Sequence, residues 1–435
     1  MDKPKILAWC DYAINTGFGF VSEELFSDLH KDFNLAVLGV NYRGHTRYDT
    51  TKAFVYSTSN EDPMGLNRLP KVLVNEKPDL IFLFQDIFHL PQAIEHCEKH
   101  APGVPIISYF PIDGNYFANT WESVLEKSQA VLTYTEYGKQ IICDYYPQYK
   151  DKIVLLPHGI NDSVFYELSD GSKDALLKQF GWEDKFVIGC VNRYQPRKNI
   201  STLLRAYSLF LIGYNICDCG NWYINTKGRC DLNGCDESHI TKRIEGHDDS
   251  LLYLHMNNME QSMGPGFECS LQSQALAAGF TNTHLNKNLA LNGRSLYSNP
   301  YTTAELNGFY NAFSIHASTA FGEGFGLSLG ESAASGTTNI APNNSAIPEV
   351  LGLDNDHHIV NNIIHINLAL DNSQSRPQVD TRYFVSAIEI EYLKWVNNGR
   401  KKVVNNKAIN HVLNKFNWED KRKFLKNILF DIHTK

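Results

Sequence analysis

The sequence predicts an α/β protein made of two Rossmann-like, doubly wound parallel-sheet domains, and three observations predict it. At 435 residues the chain is too long for one ordinary core, which implies two domains of about 150–200 residues each. Apolar runs of strand length alternate with amphipathic, helix-like stretches along most of the chain, the pattern of parallel βαβ units. One polar stretch with few apolar anchors, NDSVFYELSDGSK (Asn161 to Lys173), interrupts that alternation and marks a domain boundary.

In the first domain, KILAWC (Lys5 to Cys10) reads as a buried strand and NTGFG as a loop. Phe20 to Lys31 follows as a helix with Val21, Leu25 and Leu29 on one face. Leu35 to Val40, Asp79 to Phe84, Pro105 to Phe110, Ala130 to Thr135 and Lys152 to Leu156 continue as strands. The second series opens with KFVIGCV (Lys185 to Val191) and a helix from Asn199, followed by the strand LLYLHM (Leu251 to Met256). Helix, short buried strand, glycine turn, helix and strand then follow from Thr302 to Pro342. KFNWEDKRKFLKNILF near the end is amphipathic, with Phe416, Trp418, Phe424, Ile428 and Leu429 available for packing. The expected divisions are 1–163, 174–400 with an insertion at 213–248, and a helical segment at 401–435.

Bulk properties remove several classes. Forty basic against 48 acidic residues give a net charge of -8, which disfavours a broad nucleic-acid footprint. MDKPKILAWCDY carries no secretory pattern, and no apolar run reaches the roughly 18 residues of a spanning helix. Nine cysteines, an odd count, point to a reducing compartment, with the cytoplasm as the expected location.

The densest signal is FGEGFGLSLGE. Glu323 and Glu331 stand eight residues apart around a turn containing Gly322, Gly324 and Gly326. A helix beginning near Phe325 puts Glu331 on its first turns and Glu323 just before its N-terminus, so both carboxylates can face one cleft, while the glycines allow close backbone approach to a ligand. Without its neighbours, the pair reads as a helix cap and a surface charge. Arg193 and Lys198, in VNRYQPRKNI, follow the first strand of the second domain. Fixed cations there can stabilise the charge that grows on a departing diphosphate, Arg as a fork and Lys as a point charge. A solvated basic loop is the alternative, and Arg197 is expected to point to solvent.

From Asn307 to Gly352 these features resemble the signature of GT-B fold retaining glycosyltransferases, in particular glycosyltransferase family four (glycosyl transferases group 1). The match comprises Glu, seven residues, Glu, then a small-residue strand and the Pro-Glu turn at Ile347, Pro348, Glu349 and Val350. Arg193 and Lys198 resemble that family's phosphate clamp, with Asn192 standing where glycine is usual and Asn199 following the lysine. The resemblance implies two domains facing a cleft and transfer of a hexosyl group from a UDP- or GDP-sugar, with retention and no catalytic cofactor or metal. It places Glu331 on the donor ribose and Glu323 beside the transferred sugar, with the amides of Gly324, Phe325 and Gly326 on that sugar or the phosphates. A C-terminal helix crossing back to the first domain is also implied, and Trp418 is expected to anchor it there. The acceptor is an unidentified carbohydrate or other hydroxyl compound.

In the first domain, Thr16-Gly17-Phe18-Gly19 lacks the third glycine of a dinucleotide fingerprint, since Ser22 stands there. LGVNYRG offers no acidic residue for a ribose, so the NAD reading fails. Gly17 and Gly19 then either bring backbone amides to donor phosphates or acceptor, or form a tight turn without a ligand. Asp113, at the end of YFPID, suits receipt of an acceptor proton or binding of sugar hydroxyls, with a plain Asp-Gly turn as the alternative. His158 reads as structural. Asp354 and Asp356 imitate a metal-binding Asp-x-Asp in the wrong context.

The insertion carries Cys217, Cys219, Cys230 and Cys235, with Gly220 and Gly234 beside them. Their spacing resembles a small zinc ribbon, with His239 or His247 as possible substitutes and unrelated reduced cysteines as the alternative. Two rival functions remain open. One is a catalytically silent nucleotide-sugar-binding or scaffold protein. The other is a glycosyltransferase acting on modified DNA bases, for which Lys227, Arg229, Lys242 and Arg243 supply local positive charge.

Overall fold

The computed structural model describes residues 3–44, 51–226, 230, 235–257, 270–294, 300–368 and 374–434. By its contacts the chain divides into Met1–Ile160 with Phe416–Lys435, and Asn161–Lys415.

Among the described residues, the first unit holds seven parallel strands: β1 (Lys5–Asp11), β2 (Asn34–Val40), β3 (Phe54–Tyr56), β4 (Leu80–Phe84), β5 (Ile106–Phe110), β6 (Ala130–Thr133) and β7 (Ile153–Leu155). Their order is β3-β2-β1-β4-β5-β6-β7. LIFLF of β4 and IISYF of β5 are buried along their whole length because helices cover both faces, which is why these strands read as continuous apolar runs. The strand order reverses between β1 and β4, so the loops after those two strands flank a switch point of the kind where ligands sit in α/β sheets. The first helix begins at Gly17 and ends at Phe26, so it takes in the glycines expected in a loop and stops short of Lys31. Thr16 caps it, its hydroxyl accepting from the Gly19 amide at 2.9 Å.

The last helix, Trp418–His433, belongs to this unit. The Ile160 amide donates to the Phe416 carbonyl at 2.7 Å. Trp418 is buried with its ring parallel to that of His158. A Cβ on Gly159 would lie 2.5 Å from the Trp418 ring, so only glycine lets the indole seat. Arg422 pairs with Glu24 at 3.1 Å and Lys426 with Asp32 at 2.5 Å, fastening the helix along its length.

The second unit contains β8 (Phe186–Val191), β9 (Gly213–Cys217), β10 (Trp222–Ile224), β11 (Ile240–Glu245), β12 (Ser250–His255), β13 (Leu289–Leu291), β14 (Ile315–Ala317), β15 (Thr338–Pro342), β16 (His358–Val360), β17 (Asn362–Leu368) and β18 (Gln374–Val379). Its main sheet is parallel, ordered β13-β12-β8-β14-β15-β16. The order reverses at β8, between β12 and β14. Two antiparallel additions stand apart from it: β10-β9-β11, which forms the insertion, and the pair β17-β18.

The polar stretch read as the domain boundary begins where the units divide, and it is structured on this unit. Phe165 is buried with its ring edge-on to Tyr310. Asn307 and Asn311, on the helix Thr303–Ala312, accept from the amides of Tyr166 and Leu168 at 3.3 and 2.8 Å. A polar composition concealed it because the anchoring is by side-chain amide to backbone. Residues 401–415, expected with the C-terminal segment, also lie in this unit, where the helix Asn406–Lys415 packs on Leu327–Ala334.

Candidate functional site

The loops after β8 and β14 leave neighbouring strands at the reversal of the second sheet, and their backbones are tied together. The Phe321 amide donates to the Arg197 carbonyl at 2.8 Å, and Thr319 Oγ1 to the Asn199 carbonyl at 2.8 Å. Arg197 Nη1 donates to the Gly322 carbonyl at 3.3 Å. Pro196–Lys198 forms a single 3-10 turn, and Asn199 adopts φ +49°, a left-handed conformation that asparagine tolerates better than most residues. That reversal starts the helix Ile200–Ile212 and turns Lys198 inward.

Lys198 Nζ then meets Glu323 Oε1 at 2.5 Å, across 125 positions of sequence, and both side chains are almost wholly buried. Arg197 Nη1 stands 3.7 Å from Glu323 Oε2. This corrects the solvent-facing expectation for Arg197, which is only partly exposed because the 319–322 backbone crosses its path. Arg193, five residues before Lys198 in the same loop, is exposed.

The helix begins at Leu327, two residues later than expected, with Gly326 as its N-cap at φ +89°. Glu331 is therefore its fifth residue. Tyr310 donates its hydroxyl to Glu331 Oε2 at 2.8 Å. Burial of the carboxyl pushes Glu331 up to about 7, although the tyrosine hydrogen bond opposes the shift. Glu323 is held by its own backbone, since its amide donates to Ser345 Oγ at 2.8 Å. Gly324 and Phe325 complete the turn, Phe325 buried and Gly324 partly so. Behind the glutamates, His316 accepts from the Val191 amide through Nε2 at 3.2 Å and faces Asn339 Oδ1 through Nδ1 at 2.8 Å. The ring is thus a neutral Nδ1–H tautomer, and burial lowers its pKa to about 4.

Gly17, Gly19 and Asp113 lie in the first unit. The Gly19 amide is taken by Thr16 Oγ1, and a Cβ there would lie 2.5 Å from the Ile14 carbonyl oxygen, so Gly19 serves loop closure. Gly17 opens the helix, where first-turn amides have no acceptor within the helix. Thr16 also donates to Asp11 Oδ2 at 2.6 Å, and Gln85 Nε2 to Asp11 Oδ1 at 2.7 Å. This buried network at the carboxyl ends of β1 and β4 has no local sequence signature. Asp113 is partly buried, three residues beyond β5. His158 sits among Tyr109, Tyr134 and Trp418, and burial lowers it to about 3, which fits a packing role. Asp356 pairs with Lys407 at 3.1 Å in its loop.

In the insertion, the sulfurs of Cys217, Cys219, Cys230 and Cys235 all lie within 4.8 Å of one another. His239 bonds Asp236 at 3.1 Å and His247 bonds Glu389 at 2.9 Å, so neither histidine replaces a thiol there. Arg243 turns to Asn215 and Lys242 is exposed; Lys227, Arg229 and Gly234 lie outside the described residues.

Comparison with solved structures decides the fold. HepE (Alr3699) from Anabaena, in complex with UDP and glucose, superposes with a TM-score of 0.64 at 12% identity, covering 98% of this chain and 100% of that one. Sucrose-phosphate synthase from Thermosynechococcus elongatus gives 0.67 at 12%, covering all of both chains. WaaG, a glycosyltransferase of lipopolysaccharide biosynthesis, gives 0.62 at 10%, covering 98% of this chain and 99% of that one. The chain has the GT-B fold. No family model matches it. A D-inositol 3-phosphate glycosyltransferase of Stackebrandtia nassauensis is 33% identical over 86 residues, 20% of this chain and 19% of that protein. Among the described residues no helix is long and apolar enough to cross a membrane.

Proposed function

We propose that this protein is a retaining glycosyltransferase that moves a hexosyl group from a nucleoside diphosphate sugar to a hydroxyl acceptor. The observation that carries the reading is the buried Lys198–Glu323 pair on two stitched loops at the strand reversal of the second unit, with Glu331 on the helix that the second loop enters. A cation, a sugar-facing carboxylate and a second carboxylate one helix turn beyond are the groups that a diphosphate, a sugar and a ribose require. Structural neighbours solved with UDP and with UDP-glucose favour UDP over GDP as the donor nucleotide.

In this reading Arg193 and Lys198 hold the diphosphate and take up the charge that develops as the C1–O bond to phosphate breaks. Glu331 accepts from the ribose hydroxyls. Glu323 and the amides of Gly324 to Gly326 orient the transferred sugar. The acceptor oxygen bonds to C1 on the face the phosphate leaves, and its proton passes to a diphosphate oxygen. Retention follows without a protein nucleophile or a catalytic metal. Asp113 in the first unit serves the acceptor and Gly17 the ligand-facing helix start. A cytoplasmic location suits cysteines that, among the described residues, are not joined in disulfides.

The test is thermal stabilisation of the purified chain by UDP, GDP and ADP and by their glucose conjugates, with release of free nucleotide followed in parallel. Stabilisation by UDP together with slow hydrolysis of UDP-sugar is expected. Binding without hydrolysis or transfer to any acceptor would replace the enzyme with a silent nucleotide-sugar-binding protein. A salt-sensitive shift of DNA instead would favour a DNA-base acceptor.

A further inference from the structure

A second cluster of reactive side chains lies in the insertion, apart from the donor residues. Cys217 ends β9, and Gly220 at φ +82° folds the chain back so that its amide donates to the Cys217 carbonyl at 2.9 Å. The Cys217 amide in turn donates to the Asn221 carbonyl at 2.9 Å, which puts Cys219 on the same side as Cys217. The Cys230 amide donates to the Cys235 carbonyl at 2.8 Å, which holds these two residues together. None of the four is joined in a disulfide.

The spacing of the sulfurs suits a metal better than a disulfide. Cys219 Sγ and Cys230 Sγ are 3.6 Å apart, and all four sulfurs fall within 4.8 Å. Four thiolates about 2.3 Å from a tetrahedral zinc stand about 3.8 Å from one another, whereas a disulfide needs about 2.0 Å. Asn221 Nδ2 points at Cys230 Sγ at 3.2 Å, a donor of the kind that supports a ligating thiolate. Cys217 and Cys230 are buried with Tyr223, while Cys235 and Ile240 pack on that group. Tyr214, Ile216, Trp222, Ile224 and Ile244 seat the three strands on the main core of the second unit, whereas the cysteine end has only this small apolar cluster, so a metal bond would order that end.

We propose that Cys217, Cys219, Cys230 and Cys235 bind one structural zinc ion. Four protein ligands leave no open position for substrate, so the ion folds the insertion and performs no chemistry. The helix Ile200–Ile212 starts beside Lys198 and runs directly into β9, and its 13 residues put the start of β9 about 20 Å along the helix axis from the clamp. Arg382 ties the first knuckle to the helix Thr381–Asn397, donating from Nη1 to the Gly220 carbonyl at 3.1 Å. Loss of zinc should therefore loosen β9, β10 and β11 without removing the donor residues.

The experiment is elemental analysis of the full chain purified without added metal, with X-ray absorption at the zinc edge. About one zinc per chain in an all-sulfur shell is expected, lost in Cys217→Ser and Cys230→Ser but kept in Cys143→Ser, whose thiol lies outside the cluster. A mercurial reagent added to the wild-type chain should release that zinc in step with four thiols, which tests the site even where a serine variant does not fold. Stabilisation by UDP should survive in any folded zinc-free form. A metal-free chain, a Cys219–Cys230 disulfide, a shell containing nitrogen or oxygen, or zinc retained by both serine variants would each overturn the proposal.

Discussion

Replacing Lys198 by Met, Glu323 by Leu, and both together separates what the buried pair does for the fold from what it does for a ligand. At 2.5 Å and an effective dielectric of about 20, the attraction between the two charges is about 7 kcal/mol. Desolvating each ion costs several kcal/mol, so the intact pair contributes little net stability. Removing one partner forfeits the attraction and leaves the other ion buried, at about 3–5 kcal/mol. Glu323 retains Arg197 at 3.7 Å when Lys198 is gone, which limits the cost of Lys198→Met. The double variant replaces two ions by apolar groups of similar size and should return to within about 1 kcal/mol of wild type. A chain of two units does not unfold as one, so the assay is amide hydrogen exchange of residues 318–334, with sugar transfer measured alongside. All three variants should lose transfer, and only the singles should exchange faster. Additive destabilisation in the double variant would refute the reasoning.

Glu331 has its carboxyl raised from 4.5 to about 7, so between those values the folded chain holds a proton that the unfolded chain has lost. Stability should therefore fall as pH rises through that window, and Glu331→Gln should abolish the fall. If the ionised carboxylate accepts from the ribose, UDP affinity should rise as pH passes about 7 in calorimetry. Glu331→Gln subtracts the nucleotide's own titration, and an identical pH profile in that variant would show that Glu331 does not contact the donor. Arg193→Ala should fold normally because its side chain is exposed, yet lower kcat/KM by about 2–4 kcal/mol; unchanged turnover would remove it from the clamp. Gly159→Ala drives a methyl group into the Trp418 ring and should cost about 1–3 kcal/mol, read as earlier proteolytic release of the C-terminal helix.

How much was legible follows from what each feature depends on. The strands buried on both faces announced themselves as apolar runs, β4 and β8 most clearly, because burial in a parallel sheet leaves no alternation to decode. The edge strands β3, β13 and β16 are three residues each, too short for any periodicity, and β17 pairs with β18 only through the fold. In the site, Glu323, Glu331 and the glycines share one local motif and could be read together. Lys198 and Glu323 are 125 positions apart, so their contact depends on strand order that no window of sequence contains. Arg197 and Lys198 are adjacent and chemically alike, and only the left-handed Asn199 decides which one is buried. Tyr310 carried no signal at all, since its hydroxyl matters solely through the helix it faces.

The pairing of Lys198 with Glu323 also bears on the order of events at the site. In the proposed reading Lys198 binds a diphosphate, and the buried Glu323 carboxylate balances its charge before a ligand arrives. An incoming diphosphate competes for the same ammonium with more negative charge, and to the extent that it wins, the carboxylate must find new donors. The hydroxyls of the sugar attached to that diphosphate are donors of the right kind. In the proposed reading, neutralising Lys198 and orienting the sugar are thus two tasks for one carboxylate, exchanged by the ligand's own charge. The stitched loops make this exchange inexpensive, because Ser345 holds the Glu323 backbone and the Gly322 carbonyl engages Arg197 independently of where the carboxylate points.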